Sequence, residues 1–271
     1  MSARSTRAGL VSLVGAGPLG PDFLTVKALR RIEGADVILY DALIGEGIRA
    51  LFPPSAVAIS VGKRCGLHSF SQHEINRQLI THALKGCRVV RLKGGDPFLF
   101  GRGGEEALAL ANAGIPWEVV PGVSSVNAMA ALSGIPLTHR GSARRVMIIE
   151  GHTLASEPPD WQALVDFDGT IVVLMGAGEA QVLATRLIAH GAETARPIAL
   201  LETDANGKQL TQTATLAEAA KGTLPRLCAG PGIIYIGAVV NLRKLLVQDA
   251  GALRVSANME GRHEFAATHL S

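Results

Sequence analysis

Aromatic side chains make up only 4% of this 271-residue chain, and charged ones only 18%. These shortages do not signal disorder. Hydrophobic residues reach 48%, most of them small and aliphatic, and the formal net charge is only +3, so a core can be buried. So small a charge gives no signature of a nucleic-acid binder. No stretch reaches the roughly 18–20 apolar residues that span a bilayer, and the opening MSARSTRAGL lacks the apolar centre of a signal peptide. A cytoplasmic protein with neither membrane nor nucleic acid as partner is expected. The three cysteines, Cys65, Cys87 and Cys228, form no C-x-x-C pair, which leaves reduced, structural thiols. Eight histidines include no H-E-x-x-H and no close cluster, so no metal is expected. Glycine and proline, by contrast, are plentiful at 31 and 13, without the three-residue period of collagen.

Short apolar runs alternate with helical patterns. Strands are expected at Leu10 to Val14, Ala35 to Tyr40, Val57 to Val61, Arg88 to Leu92 and Trp117 to Val120. Between them, Ser71 and Glu74 form an S-x-x-E capping box ahead of Ile75, Leu79, Ala83 and Leu84, and Gly86 stops the helix. A second helix is expected from Gly104, with Glu105 and Glu106 in its first turn, to Gly114. After Ile135-Pro136-Leu137-Thr138-His139-Arg140 the alternation restarts, with strands near Val146 to Glu150, Thr170 to Met175, Pro197 to Glu202 and Gly232 to Ile236. The pattern is α/β with largely parallel sheets. Two domains are expected, 10–140 and 141–250, followed by a mobile tail at 251–271 that lacks periodicity.

Two glycine-rich segments leave strands. Val14-Gly15-Ala16-Gly17-Pro18-Leu19-Gly20 fits G-x-G-x-x-G, and Asp41 ends the next strand about 20 residues on, as a dinucleotide fingerprint requires. Pro18 and Pro21 argue against that reading, because proline has no N–H to offer a pyrophosphate. Dinucleotide binding, a ligand without phosphates and a merely structural turn all remain open. The second segment, Arg91-Leu92-Lys93-Gly94-Gly95-Asp96-Pro97-Phe98-Leu99-Phe100-Gly101-Arg102-Gly103-Gly104-Glu105-Glu106, lets backbone approach a ligand while Lys93, Asp96, Arg102 and Glu105 supply charge.

The combination of GAGP, YDAL, VGKR, VVRLKGGDPFLFGRGGEE, VVPGVSS and GIPLTHR resembles the uroporphyrinogen-III C-methyltransferases of the tetrapyrrole methylase superfamily, over residues 10 to 246. The resemblance implies the two-domain class III methyltransferase fold, usually a homodimer, with S-adenosylmethionine in the cleft between domains. It implies methylation of uroporphyrinogen III twice, through precorrin-1 to precorrin-2. Carried over by position, Pro18, Gly94, Gly95, Asp96, Leu99, Ser124, Ser125 and Met175 would bind the cofactor. Asp41 is the implied proton acceptor and Lys63 the donor, with Arg102 and Glu105 near the tetrapyrrole and Arg64 and Arg140 on its carboxylates. Without the surrounding motifs, Asp41 reads as a turn acid, Lys63-Arg64 as a solvated pair and Met175 as core.

The chain departs from the family at Gly20, where a loop carboxylate is usual, and at Leu132, Glu150 and Asp204. These departures leave open a diverged methylase with another substrate, or a non-catalytic protein that holds a tetrapyrrole or adenosyl ligand. Residues 61 to 105 carry eight Lys or Arg against three acids, a local excess suited to an anionic tetrapyrrole. No dehydrogenase or chelatase module is recognisable, so methylation alone is expected.

Overall fold

A computed structural model describes residues 8–62, 70–154, 156–204 and 207–247. Contacts divide the chain into two compact units, one ending at Met129 and the other starting at Ala130, about ten residues before the division expected near residue 140. Lys63, Arg64, Cys65 and the whole of 251–271 lie outside the described residues.

In the first unit the elements run β1 (Val11–Gly15), α1 (Val26–Glu33), β2 (Val37–Tyr40), α2 (Glu46–Arg49), β3 (Val57–Ser60), α3 (Gln72–Leu84), β4 (Val89–Lys93), α4 (Gly103–Asn112), β5 (Trp117–Val120) and α5 (Ser125–Ser133), the last running into the second unit. The sheet order is β3-β2-β4-β1-β5 and every pair is parallel. Its faces are both covered. Val11, Leu13, Val37, Leu39 and Val89 pack with Ile75 and Leu79 of α3 and Ala107 and Leu110 of α4. The alternate residues Val14, Ile38, Val90, Leu92 and Val120 pack with Ala28 and Ile32 of α1 and Ile48 of α2. Two-sided burial explains why these strands read as continuous apolar runs. The capping box at α3 is formed as expected: the Ser71 hydroxyl accepts from the Glu74 N–H, and the Glu74 carboxylate accepts from the Ser71 N–H at 2.7 Å.

The second unit contains β6 (Val146–Glu150), α6 (Trp161–Asp166), β7 (Thr170–Leu174), α7 (Ala180–Ala189), β8 (Pro197–Thr203), β9 (Gln209–Thr215), α8 (Leu216–Ala219), β10 (Gly232–Ile236) and α9 (Leu242–Leu246). Its order is β6-β7-β10-β8-β9. Only β6 and β7 are parallel; β10 runs antiparallel to both β7 and β8, and β9 is antiparallel to β8. The α/β architecture in two units therefore stands, but the expectation of a mostly parallel sheet holds for the first unit and fails for the second. Two strands are reversed: β10, inserted between β7 and β8, and β9, which returns from β8 through a hairpin. Its turn is closed by Asp204, whose side chain accepts from the Lys208 N–H at 2.9 Å, and β9 occupies an edge with half-buried, mostly polar residues.

One charge network ties the first unit together away from the strand ends that carry the motifs. Glu118 on β5 accepts from Ser12 of β1 at 2.9 Å and pairs with Lys27 at 2.8 Å and with Arg31, both on α1. The Arg31 hydrogen bond, aided by Lys27 and Ser12, holds the Glu118 carboxyl at about 2 against an ordinary 4.5. A carboxyl lowered in the folded state contributes stability that is present above its unfolded value and is lost as pH falls toward its folded one. Urea midpoints of the wild-type protein should therefore fall between about pH 4.5 and 2. Glu118→Gln should be less stable at neutral pH and should lose less over that window; parallel curves for the two proteins would contradict the assignment.

Candidate active site

Three loops meet at the carboxyl ends of β1, β4 and β5. Gly17 and Gly95 exchange backbone hydrogen bonds of 3.2 and 2.9 Å, and the Ala16 N–H donates to the Lys93 carbonyl at 2.8 Å. A Cβ on Gly15 would lie 2.6 Å from both the Gly122 Cα and the Gly95 oxygen, and one on Gly122 would lie 2.3 Å from that same oxygen. These two glycines are required by packing. Gly94 and Gly95 are different: the nearest atoms to an added Cβ are 3.8 and 3.9 Å away, and Gly95 has φ +66°. No close contact demands glycine at either position, so the backbone there is left without a side chain to cover it, which lets a ligand approach closely.

Asp96 ties the arrangement together, accepting from the Phe98 N–H at 2.8 Å on Oδ1 and from the Gly122 N–H at 3.0 Å on Oδ2. Pro18 and Leu99 are half-buried beside these loops in sequence. The Ser124 hydroxyl accepts from the Val126 N–H at 3.2 Å at the start of α5, and Ser125 is the first residue of that helix. The first glycine turn does not open a helix, however. A short 3-10 helix at Pro21–Phe23 follows it, and α1 begins only at Val26, capped by Thr25. The dinucleotide reading needs a helix N-terminus on the glycines, and that feature is missing.

Asp41 follows β2 and is 31% exposed. Its Oδ1 accepts from Arg91 Nη2 at 2.5 Å. Alternation along β4 places Val89, Arg91 and Lys93 on one face, toward α3 and α4. Arg91 Nε and Lys93 Nζ both donate to Glu106 Oε1, at 2.9 and 3.0 Å, and Gln72 Nε2 reaches the same oxygen at 3.2 Å. Glu106 is fully buried, and Arg91 and Lys93 are 3% exposed. Burial, together with the Arg91 charge, pushes the Lys93 ammonium below its ordinary value. Lys93, expected to offer charge to a ligand, is thus neutralised internally, and Glu106 is a buried ion-pair partner rather than only a first-turn helix acid.

Arg102 and Glu105, both expected to offer charge to a ligand, pair with each other. The guanidinium donates twice to the carboxylate, at 2.8 and 2.7 Å, and lowers its pKa, with both side chains more than half exposed. Arg102 sits at φ 57° and Phe100 at φ 50°. A left-handed non-glycine residue costs on the order of 1 kcal/mol or more and persists where surroundings impose it. Of the six described cations among residues 61–105, four are paired: Arg88 holds Asp36 at 2.8 Å, Arg91 and Lys93 hold Glu106, and Arg102 holds Glu105.

In the second unit, Met175 follows β7 at φ 57° with 46% exposure, so it is not a core residue. The loops beside it touch closely: a Cβ on Gly151 would lie 2.3 Å from the Gly176 Cα. Arg140 is exposed in an open concavity with Thr138, His139, Ala143 and Arg144, so Arg144 joins the cation that the motif singled out. Glu150 pairs with His152 at 3.1 Å, and Asp204 is the hairpin turn residue. Among the described residues no cluster of His, Cys, Asp or Glu is arranged to hold a metal, and no helix is long and apolar enough to cross a membrane.

A family profile described as tetrapyrrole (corrin/porphyrin) methylases matches residues 10–220. The chain is 46% identical over 239 residues to siroheme synthase 2 of Aeromonas hydrophila, covering 88% of this chain and 50% of that protein. It is 45% identical over 245 residues to siroheme synthase of Edwardsiella ictaluri, covering 90% and 53%. The chain thus spans about half the length of these curated relatives. Among solved structures, uroporphyrin-III C-methyl transferase from Thermus thermophilus complexed with S-adenyl homocysteine is similar with a TM-score of 0.74 and 40% identity, over 86% of this chain and 100% of that one. A cobalt precorrin-4 methyltransferase shares the fold at a TM-score of 0.74 and 24% identity, over 89% and 99%.

Proposed function

The chain belongs to the tetrapyrrole (corrin/porphyrin) methylases, and on that footing we propose that it transfers methyl groups from S-adenosylmethionine to ring carbons of uroporphyrinogen III, through precorrin-1 to precorrin-2. The observation that carries the reading is the Gly94-Gly95-Asp96 loop, which lacks side chains at two positions where no close contact demands glycine, while Asp96 fixes it to Gly122. Such a loop suits a ligand with an apolar adenine, a ribose and an amino-acid end, as small hydroxyl residues at Ser124 and Ser125 do. Support for the donor also comes from the similar Thermus thermophilus structure with S-adenyl homocysteine.

When bound, the donor supplies an electrophilic methyl group on a sulfonium. The protein's own work is then to align and to move protons. Pro18, Gly94, Gly95, Asp96, Leu99, Ser124, Ser125 and Met175 hold the donor. Asp41, half-buried at one end of a buried ion-pair chain, accepts the proton lost as the ring rearranges, and Lys63 donates. Arg102 and Glu105 lie beside the tetrapyrrole, while Arg64 and Arg140 pair with its carboxylates. Positioning contributes more than acid–base help, because the sulfonium is already a good leaving group. A cytoplasmic homodimer completes the reading, on the family resemblance, and sedimentation tests the dimer.

The test is incubation of the purified protein with anaerobically generated uroporphyrinogen III and the donor. Mono- and dimethylated products by mass are expected. Donor binding with no methylated product would overturn the substrate assignment, and saturable NAD binding that the donor does not displace would overturn the cofactor assignment.

A further inference from the structure

Glu106 of α4, Arg91 and Lys93 of β4 and Asp41 after β2 form a chain of ion pairs that is buried at one end and opens at the other. Every nitrogen group of the Arg91 guanidinium is engaged: Nε with Glu106 at 2.9 Å, Nη1 with the Leu92 carbonyl at 3.2 Å and Nη2 with Asp41 at 2.5 Å. A guanidinium held at three points cannot swing, so the single oxygen it grips on Asp41 is fixed too. Asp41 Oδ2 has no partner among the described residues. Glu106 is itself pinned, with Oε1 accepting from Arg91, Lys93 and Gln72.

Burying such a set costs more than burying apolar side chains of the same volume, so its presence calls for a use beyond stability. Val89, one step earlier on the same face of β4, is apolar, and the sheet there packs well without charge. The ions are confined to the carboxyl end of the strand, where the candidate residues lie.

We propose that Arg91 is a positioning residue for Asp41, and that Glu106 in turn fixes Arg91, leaving the second oxygen of the partly exposed Asp41 to take a proton. The proposal rests on the reading of Asp41 as proton acceptor. Support shared among several groups makes the orientation of an acceptor independent of solvent, and supporting residues of this kind are commonly worth about tenfold to a hundredfold in rate.

A double-mutant cycle tests it. Kinetics of Asp41→Asn, Arg91→Ala, Arg91→Lys and the Asp41→Asn/Arg91→Ala double variant would be measured with uroporphyrinogen III and the methyl donor, alongside calorimetry of S-adenosylhomocysteine. Arg91→Ala should lower kcat by about tenfold to a hundredfold with KM for the donor and homocysteine-product affinity nearly unchanged. Arg91→Lys should restore only part of the loss. The double variant should be no slower than Asp41→Asn alone, because Arg91 acts through Asp41. If the double variant instead loses the full Arg91→Ala factor again, Arg91 acts independently and the proposal is wrong. Wild-type kcat in Asp41→Asn would identify failure of the acceptor reading rather than of the link. Should Arg91→Ala not fold, Glu106→Gln takes its place in the cycle with the same expectations. A readout without substrate completes the test: in aspartate-labelled, ligand-free protein, the Asp41 carboxyl carbon resonance, identified by its loss in Asp41→Asn, should move in Glu106→Gln although the two side chains do not touch. An unmoved resonance would contradict the relay.

Discussion

Gly122→Ala is expected to abolish binding of the methyl donor and to lower the melting temperature, whereas Gly20→Ala leaves both unchanged. A Cβ on Gly122 would stand 2.3 Å from the Gly95 oxygen, 2.7 Å from the Gly15 Cα and 2.8 Å from the Gly15 carbonyl carbon. All three are backbone atoms, so no side chain can turn aside. The loop after β4 must move, and it carries Gly94, Gly95 and Asp96, whose Oδ2 also takes the Gly122 N–H. Overpacking of this kind costs about 1–3 kcal/mol, or roughly 2–4 °C per kcal/mol in a chain of this size. Gly20 is extended at φ −162° with no atom within 4 Å of an added Cβ. Calorimetry of S-adenosylhomocysteine and a thermal melt on both variants decide the matter. Equal binding by the two would show that the close approach of the three loops does not shape the donor site.

Glu106→Ala should carry the largest stability cost of any single substitution considered. It leaves the Arg91 and Lys93 cations side by side, both 3% exposed, with only Asp41 to balance them. Removing one partner of a buried pair costs about 3–5 kcal/mol. Lys93 offers relief by losing its proton, since burial and Arg91 already lower its pKa. A lysine whose folded pKa lies below its unfolded value holds fewer protons when folded, so stability rises with pH up to the unfolded value. The variant should therefore recover part of its loss in alkaline denaturation curves, more steeply than the wild-type protein. Glu106→Met combined with Arg91→Met and Lys93→Met should fold far better than Glu106→Ala, because an apolar trio leaves no uncompensated charge in the core and the unpaired Asp41 can be solvated. Similar stability for Glu106→Ala and wild type would refute the buried-pair account.

Much of this fold is legible in the residues themselves. Trp117–Val120, Val146–Glu150 and Gly232–Ile236 form strands where the apolar runs lie, and the capping box at Ser71 starts its helix. What escaped is what depends on pairing partners. β9, read as Gln-Leu-Thr-Gln-Thr-Ala-Thr, has too few apolar residues to stand out because an edge strand needs only one buried face. The Asn206-Gly207 dipeptide between it and β8 is a hairpin signal that could have exposed the strand and its antiparallel direction.

The site was legible in the same uneven way. The glycine loops follow from spacing along the chain, whereas the Arg102–Glu105 pair, three residues apart at the start of a helix, was there to be read and was not. The Glu106–Arg91–Asp41 chain follows from no such spacing, because it joins α4, β4 and the end of β2 through a sheet order that no local pattern reveals. The alternation of Val89, Arg91 and Lys93 marks two cations on one face of a buried strand, and that is the signal that a carboxylate must lie opposite. Local charge misled for a related reason: Arg88, Arg91 and Lys93 find partners in Asp36 and Glu106, outside residues 61–105.

Carbon methylation of a tetrapyrrole is tested by following the methyl group itself. Uroporphyrinogen III would be incubated with the protein and donor labelled with carbon-13 in the methyl group, and the product treated with mild alkali before mass and NMR analysis. One and then two labelled methyl groups that survive alkali and resonate as methyls on ring carbons are expected. Label lost on alkaline treatment would mean methyl esters on the carboxylates, and no label on the tetrapyrrole with donor still bound would mean another acceptor; either result contradicts the account.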